Sequence, residues 1–232
     1  LASGERVHTI FRANLKDEPT KLTKNKVRVF AGCEFAFTLL VRKYYLSIIR
    51  VIQKNWIKFE CAVGIVAQSP DWSRLAEYLT DFGHDRMVAG DYSAYDKRAS
   101  PEVMLASFDI LIYIAEYAGY TDYQLNVMRG IATEICYPIY EYNGVYINIF
   151  GSNPSGHPLT VIVNNFSNCL YMRYAYYVLH EHNEHVPPFD SVIKLMCYGD
   201  DNAMGVSSEE PYFNHTAVSQ ILGEVGIKYT MA

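Results

Sequence analysis

The chain has 232 residues, half of them hydrophobic and 19% charged, which supplies a sizeable core and argues against disorder. Its net charge of −5 is a mild argument against a phosphate-rich partner, yet Lys16, Lys21, Lys24, Lys26 and Arg28 gather near the N-terminus while carboxylates gather elsewhere, and distribution outweighs the sum. No apolar stretch is long enough to span a bilayer, and the five cysteines, an odd number with no C-x-x-C pair, exclude a paired zinc pattern and favour reduced thiols buried as small hydrophobes. The first residue is Leu1 and the last ones read into a structured segment, so a piece of a longer polypeptide is expected.

Residues 6–30 mix basic and apolar residues around Pro19 and read as loops and short strands, with Val27 to Phe30 alternating like a strand. Residues 35–57 place Phe37, Leu40, Val41, Tyr44, Tyr45, Ile48, Val51 and Ile52 at helical spacing. Ser69-Pro70-Asp71 opens a helix to about Thr80. Met87 to Asp91 reads as a short buried strand ending in a carboxylate. Ser100-Pro101-Glu102 starts a helix to Tyr117, whose apolar stretch is interrupted by Asp109 and Glu116, and Thr121 starts another to about Thr133. Residues 135–149 form a hairpin about Asn143-Gly144, the dipeptide of a type I′ turn. Gly151 to Pro158 is a loop feeding a helix from about Leu159 to His180. Val192 to Cys197 and Asn202 to Val206 are strands flanking a turn. Pro211 to Gly223 is the last helix and Gly226 to Thr230 the last strand. The order predicts an α+β sheet with helices on one face, without the common glycine-rich phosphate loops.

Three segments place polar groups where core residues would be expected. Asp91-Tyr92-Ser93-Ala94-Tyr95-Asp96 ends an apolar strand with one acid and adds a second five residues on. Gly151-Ser152-Asn153-Pro154-Ser155-Gly156 precedes Thr160 and Asn164, which share a helix face at i, i+4. Tyr198-Gly199-Asp200-Asp201 is a tight turn with adjacent carboxylates between apolar strands. Nucleotidyl transfer needs charge neutralisation more than covalent chemistry, and two divalent ions about 3.5–4 Å apart provide it, held by carboxylates, water and substrate oxygens. Acids from separate strand ends, Asp91 and Asp200, suit such a pair. Alone, each segment has a bland reading: surface acids, a surface turn, a loop with an N-cap, and a solvated basic face. Their joint occurrence in order makes the case.

In that order the chain resembles the viral RNA-dependent RNA polymerases of the picorna-like positive-strand group. Asp91 to Asp96, continuing into Ser100-Pro101, resembles the first palm motif. Ser155-Gly156 with Thr160 and Asn164 resembles the second, and Tyr198 to Asp201 the third. Lys16-Asp17-Glu18 and Lys26-Val27-Arg28 resemble the basic fingers motif, and Ala62-Val63-Gly64 also fits. The resemblance implies an α+β right-hand polymerase palm, an antiparallel sheet backed by helices, with part of the fingers and no thumb. Residues 1–85 would be partial fingers with the leading palm helix, and 86–232 the palm with a fingers-type insertion near 120–150.

The same resemblance implies an RNA-directed RNA polymerase. Asp91 and Asp200 would hold two Mg²⁺ ions, replaceable by Mn²⁺, with the Tyr92 carbonyl assisting and Asp201 aiding metal or primer placement. Asp96 and Asn164 would sense the ribose, supported by Ser155 and Thr160, because a carboxylate and an amide can hydrogen-bond the 2′-OH. Lys16, Lys26 and Arg28 would neutralise the incoming triphosphate, and Gly156 would let the loop approach the nascent base pair. Implied partners are RNA template and primer, nucleoside triphosphates, the remaining polymerase segments of a parent polyprotein (thumb and N-terminal fingers), and a protein primer. The implied setting is membrane-associated replication complexes in the host cytoplasm, reached through the polyprotein.

Departures accompany the match. The lysine that the family places after the last palm helix would lie beyond residue 232, and Lys228 sits too early and is expected to face solvent. The isolated segment is therefore expected to be weak or inactive. Glu134 and Glu141 read as ordinary hairpin acids, and the histidines at 180, 182 and 185 as a solvated helix end. A reverse transcriptase, a noncatalytic RNA-binding module and a cyclase-type palm remain as alternatives. The first is disfavoured by Asp96 with Asn164, the second by retention of every expected site residue, and the third by Ser155, Thr160 and Asn164 together.

Overall fold

The computed structural model describes residues 1–19, 23 and 28–231. Lys21, Lys24 and Lys26, three of the residues in the expected basic cluster, lie outside the described residues. In chain order the elements begin with strands β1 (Ile10–Leu15) and β2 (Val29–Cys33), helices α1 (Phe35–Lys54) and α2 (Pro70–Leu79), and strand β3 (Met87–Tyr92). Next come α3 (Tyr95–Arg98), α4 (Pro101–Tyr117), α5 (Asp122–Cys136), β4 (Ile139–Tyr142), β5 (Val145–Asn148) and α6 (Thr160–Leu179). The chain continues with α7 (Phe189–Val192), β6 (Ile193–Tyr198), β7 (Asp201–Val206), α8 (His215–Glu224) and β8 (Tyr229–Met231). The α+β class holds. Among the described residues no helix is long and apolar enough to cross a membrane, and all five cysteines are free, four of them buried.

The chain divides into two compact units, the first comprising residues 1–48 and 96–160. Its sheet has the order β2-β1-β4-β5, with β1 antiparallel to β2 and parallel to β4. The β4–β5 hairpin turns on Asn143 (φ +51) and Gly144 (φ +81), the paired left-handed residues a type I′ turn requires. Phe37, Val41, Tyr44, Tyr45 and Ile48 of α1 are all buried, a stripe at the predicted helical spacing. The Tyr45 ring meets Phe108 of α4 edge-on at 5.8 Å, and its hydroxyl donates to the Met128 carbonyl at 2.8 Å, so the buried phenol is satisfied. Helix α5 opens with a capping box of Thr121 and Gln124. Ser100 has the N-cap backbone of α4, but its hydroxyl bonds the Glu102 carboxylate instead of a helix N–H.

Glu134 corrects its sequence reading. It lies in α5, fully buried, and accepts from Arg6 Nε at 3.0 Å, Thr9 N at 2.7 Å and Val7 N at 3.2 Å. A buried carboxylate needs such partners. It therefore moors residues 6–9 to α5. Glu141 does sit in the hairpin, taking Arg12 Nε at 3.0 Å and the Gly144 N–H at 2.8 Å.

The second unit comprises residues 49–95 and 161–232. Its sheet, β6-β7-β3-β8, is antiparallel throughout. Two glycines permit close packing here. A Cβ on Gly205 would strike the Leu79 carbonyl at the end of α2, and one on Gly90 would strike the Tyr229 ring. Trp56, Leu79 and Met196 form a local core. The last helix starts at His215 and not at Pro211, because the Asn214 side chain caps the Ala217 N–H at 3.1 Å. His180 is buried, not solvated: its Nδ1 faces the Tyr176 carbonyl at 2.8 Å and its Nε2 the Glu210 carboxylate at 3.0 Å. His182 and His185 are exposed as expected. The short elements β1, α3 and α7 were not resolved from sequence, since four to six residues carry too little periodicity.

Candidate active site

Three carboxylates gather at one end of the two central strands, β7 and β3, of the second unit's sheet. Strands β6 and β7 pair from Ile193–Val206 to Tyr198–Asp201, leaving Gly199 and Asp200 as a two-residue loop. Gly199 has φ +64, the left-handed first position of a type II′ turn, which a side chain would strain. Strand β3 pairs with β7 as far as Gly90–Asn202, so Asp91 and Asp201 occupy the next position on each strand. The strand expected to be buried, Met87 to Asp91, is open on one face, with Met87, Ala89 and Asp91 exposed; Asp201 is exposed too and Asp200 is intermediate. Burying the acids would have required partners; leaving them reachable does not.

Their charges are nevertheless felt. The Asp201 carboxyl is raised above the usual range, first by partial desolvation, then by the neighbouring Asp200 and Asp91 carboxylates. Among the described residues no Lys or Arg forms an ion pair with any of the three. Asp91 Oδ1 accepts from the Tyr92 N–H at 2.7 Å. Among the described residues no three or more His, Cys, Asp or Glu side chains are grouped so that together they could hold a metal ion. Clustered, uncompensated and accessible oxygens still fit a Mg²⁺-type ion, which takes one or two carboxylates and completes its shell with water and substrate oxygens.

Behind these acids lies a polar knot that the sequence reading missed. Asn168 of α6 is fully buried. Its Nδ2 points at three successive turn carbonyls, Gly199 at 3.2 Å, Asp200 at 2.9 Å and Asp201 at 3.3 Å. Its Oδ1 accepts from Tyr92 Oη at 2.9 Å and Asn202 Nδ2 at 3.0 Å, and Tyr229 Oη donates to Asn202 Oδ1 at 2.8 Å. The Tyr92 phenol is thus turned inward, so any metal role for this residue rests on its backbone carbonyl. Burial holds the Tyr92 and Tyr95 phenols neutral, well above their ordinary range. A signal for Asn168 existed, since it continues the i, i+4 series of Thr160 and Asn164.

The Gly/Ser loop belongs to the first unit and is braced from within. Gly151 and Ser152 both adopt left-handed backbone, φ +80 and +70. The Ser152 and Asn153 N–H groups donate to the carbonyls of Ala99 at 3.1 Å and Asp96 at 2.7 Å. Inside the loop, buried His157 accepts the Leu159 N–H at Nδ1 (3.2 Å), which leaves the proton on Nε2 to reach Asn153 Oδ1 at 2.7 Å. Burial pushes the His157 imidazole down to about 3. Asn153 Nδ2 donates to the Thr160 carbonyl at 3.2 Å, and the Thr160 hydroxyl points at the His157 and Pro154 carbonyls at 2.9 and 3.1 Å. Thr160 is therefore a loop brace. Gly156 is needed for close approach, but to this chain's own backbone: it bridges Gly32, and a Cβ would strike the Ala31 carbonyl. His157 and Asn153 were not assigned roles from sequence, because their pairing depends on the loop doubling back.

The remaining candidates are placed as follows. Asp96 lies in α3 of the first unit, close enough to act on the Tyr140 phenol, which burial raises. Ser155 is half-buried near the loop apex. Asn164 is buried in the second unit, and its carbonyl accepts from Tyr95 Oη at 3.0 Å. Lys16 is half-buried and its N–H donates to the Arg28 carbonyl at 2.8 Å, extending the β1–β2 ladder. The exposed Arg28 guanidinium lies 3.5 Å from Glu18, an exposed pair that a stronger anion can displace. Lys228 is exposed, as expected.

Similarity to known proteins identifies the family. The viral RNA-dependent RNA polymerase family matches over residues 1–232. The RNA1 polyprotein of Cowpea mosaic virus is 33% identical over 89% of this chain and 11% of its own length. The genome polyprotein of Deformed wing virus is 30% identical over 98% of the chain and 8% of its own. The replicase polyprotein of Drosophila C virus is 27% identical over 99% and 14%. The chain thus spans about a tenth of these relatives. A solved Sicinivirus 3Dpol RNA-dependent RNA polymerase shares the fold with a TM-score of 0.75 at 17% identity, over the whole chain and 47% of that protein. The chain belongs to the viral RNA-dependent RNA polymerase family.

Proposed function

We propose that this segment carries the catalytic palm, with part of the fingers, of a polymerase that copies viral RNA, joining nucleoside triphosphates to an RNA 3′-OH. The observation that carries the reading is the convergence of Asp91, Asp200 and Asp201 with mutual repulsion and no basic partner among the described residues. When bound, a pair of divalent ions supplies the positive charge that an in-line phosphoryl transfer requires. Asp91 and Asp200 would hold that pair, with the Tyr92 carbonyl, and Asp201 would assist. Asp96 and Asn164 would meet the ribose hydroxyls, with Ser155 and Gly156 presenting the loop. Lys16, Lys26 and Arg28 would take the triphosphate, Arg28 exchanging Glu18 for phosphate oxygens. In this partition residues 1–85 serve mainly as fingers and 86–232 as palm.

The isolated segment would be weak or inactive, because product-strand grip and a general acid for pyrophosphate are expected from sequence outside it. The test is primer extension by a polymerase containing this segment and its flanks, on an RNA template with Mg²⁺. Ribonucleotides should be incorporated, and Asp200→Asn should reduce the rate by about 10³-fold or more, equivalent to about 4 kcal/mol of transition-state stabilisation. A preference for deoxynucleotides would overturn the roles of Asp96 and Asn164. Undiminished extension by Asp200→Asn would overturn the metal site.

A further inference from the structure

We propose that Asn168 is a positioning residue for the divalent ions, fixing the backbone of the two acids that would hold them; this rests on the polymerase reading above. The amide is used to capacity. Its two hydrogens face the three carbonyls of Gly199, Asp200 and Asp201 at 2.9–3.3 Å, and both lone pairs of Oδ1 are taken by Tyr92 and Asn202. Rotating the amide by half a turn would set its oxygen against three carbonyls, so only one orientation is stable.

This single buried side chain therefore ties together the turn carrying Asp200 and Asp201 and the residue that follows Asp91. Asn202 passes the linkage to Tyr229 on β8, in the space that Gly90 leaves by lacking a Cβ. Asp91 and Asp201 occupy neighbouring positions on paired strands and Asp200 sits in the turn beside them, so three like charges are gathered at one place and repel one another. A two-residue turn under repulsion has a soft response, which is to spread. Two N–H groups shared among its three carbonyls, held out from a helix that is itself packed in the core, oppose that spreading before any cation arrives. A metal site whose ligands are already spaced needs less reorganisation on binding, and groups that orient ligands from behind are commonly worth 10–100-fold in metal affinity.

The test uses Mn²⁺ alone as the probe, titrated into the RNA-free polymerase and followed by the electron paramagnetic resonance signal of free Mn²⁺. Asn168→Ala should weaken Mn²⁺ binding by about 10-fold or more. Asn165→Ala is the control for simple loss of stability. It removes a neighbouring buried amide of α6 that donates to the Glu60 carbonyl at 3.3 Å and makes no bond to the turn. Its Mn²⁺ affinity should stay within about 2-fold of the parent. If Asn168→Ala does not fold, Asn168→Ser decides: keeping one hydroxyl, it should fold, yet lose more Mn²⁺ affinity than Asn165→Ala does. Asn168 variants that fold and bind Mn²⁺ like the parent would overturn the proposal. Failure of the polymerase reading shows separately, as a parent protein that neither binds Mn²⁺ with dependence on Asp200 nor extends a primer.

Discussion

The carboxylate turn and the Gly/Ser loop are both short, glycine-containing and built on left-handed backbone, yet they are stabilised in opposite ways. The turn at 199–201 has its backbone bonded from behind by Asn168 and its side chains left in mutual repulsion. The loop at 151–160 satisfies itself, through His157 with Asn153, Asn153 with Thr160, and Thr160 with Pro154. One gathers unmet negative charge at an accessible turn, where a cation would relieve it. The other has little left to gain from a cation and acts as a shaped surface. Mutations in the two should therefore read out differently, as metal response in the turn and as folding stability in the loop.

The largest stability effect is expected from His157, and acid should reveal it. The native imidazole is buried and neutral, held down to about 3, whereas the unfolded ring titrates near its ordinary 6.5. The unfolded chain then binds a proton that the native state refuses, so stability is intact above about 6.5 and falls as pH drops towards about 3. The slope from this group should approach about 1.4 kcal/mol per pH unit in that window. Denaturation of the polymerase and of its His157→Gln variant at pH 7.5, 6 and 5 isolates it, because the variant lacks this component. Parallel losses in the two proteins would show that native His157 takes up a proton as readily as the unfolded ring, which Nδ1 cannot do while accepting the Leu159 N–H.

Much of this comparison was legible in the sequence, and the rest fails for identifiable reasons. The strand ending at Asp91, the turn at Asp200, the Asn143-Gly144 hairpin and the capped helices were readable because each rests on local chemistry. Their identification with polymerase motifs carried the site further than periodicity could. Asn168 and Glu134 were missed because their meaning lies in partners 31–76 and 125–128 positions away, and His157 because its partners 2 and 4 positions away are met only when the loop doubles back. The reading of Met87 to Asp91 as a buried strand failed because apolar composition does not show which face is covered: Met87, Ala89 and Asp91 alternate on an exposed face of β3, and only Gly90 and Tyr92 are buried.

An intermediate effect should come from Gly90→Ala. Gly90 has ordinary strand backbone, so strain is not the issue; the added methyl would collide with the Tyr229 ring. Overpacking of this kind costs about 1–3 kcal/mol. Displacing Tyr229 also strips Asn202 of a donor and loosens the knot behind the turn. Gly90→Ala should therefore lower the thermal midpoint and, unlike His157→Gln, weaken Mn²⁺ binding as well. Loss of stability with unchanged Mn²⁺ affinity would mean that the knot tolerates displacement at its β8 end.

The smallest effect is expected at Asp201, and its sign is the informative part. Its carboxyl is raised in the native state, so between the unfolded and native values the folded protein holds the extra proton. Stability contributed by this group is therefore greatest at acid pH and declines as pH rises through the native value. At neutral pH without metal, Asp201→Asn removes a repulsive charge and should stabilise the protein, by under about 1 kcal/mol because water screens a group this exposed. Adding Mg²⁺ should reverse the ranking, since the parent gains ligand-linked stability that the variant has partly forfeited. Thermal midpoints of both proteins, with and without Mg²⁺, test this directly. A variant less stable than the parent even without metal would mean that Asp201 serves a structural bond in the native turn, and the description of that site as unmet charge would have to be confined to Asp91 and Asp200.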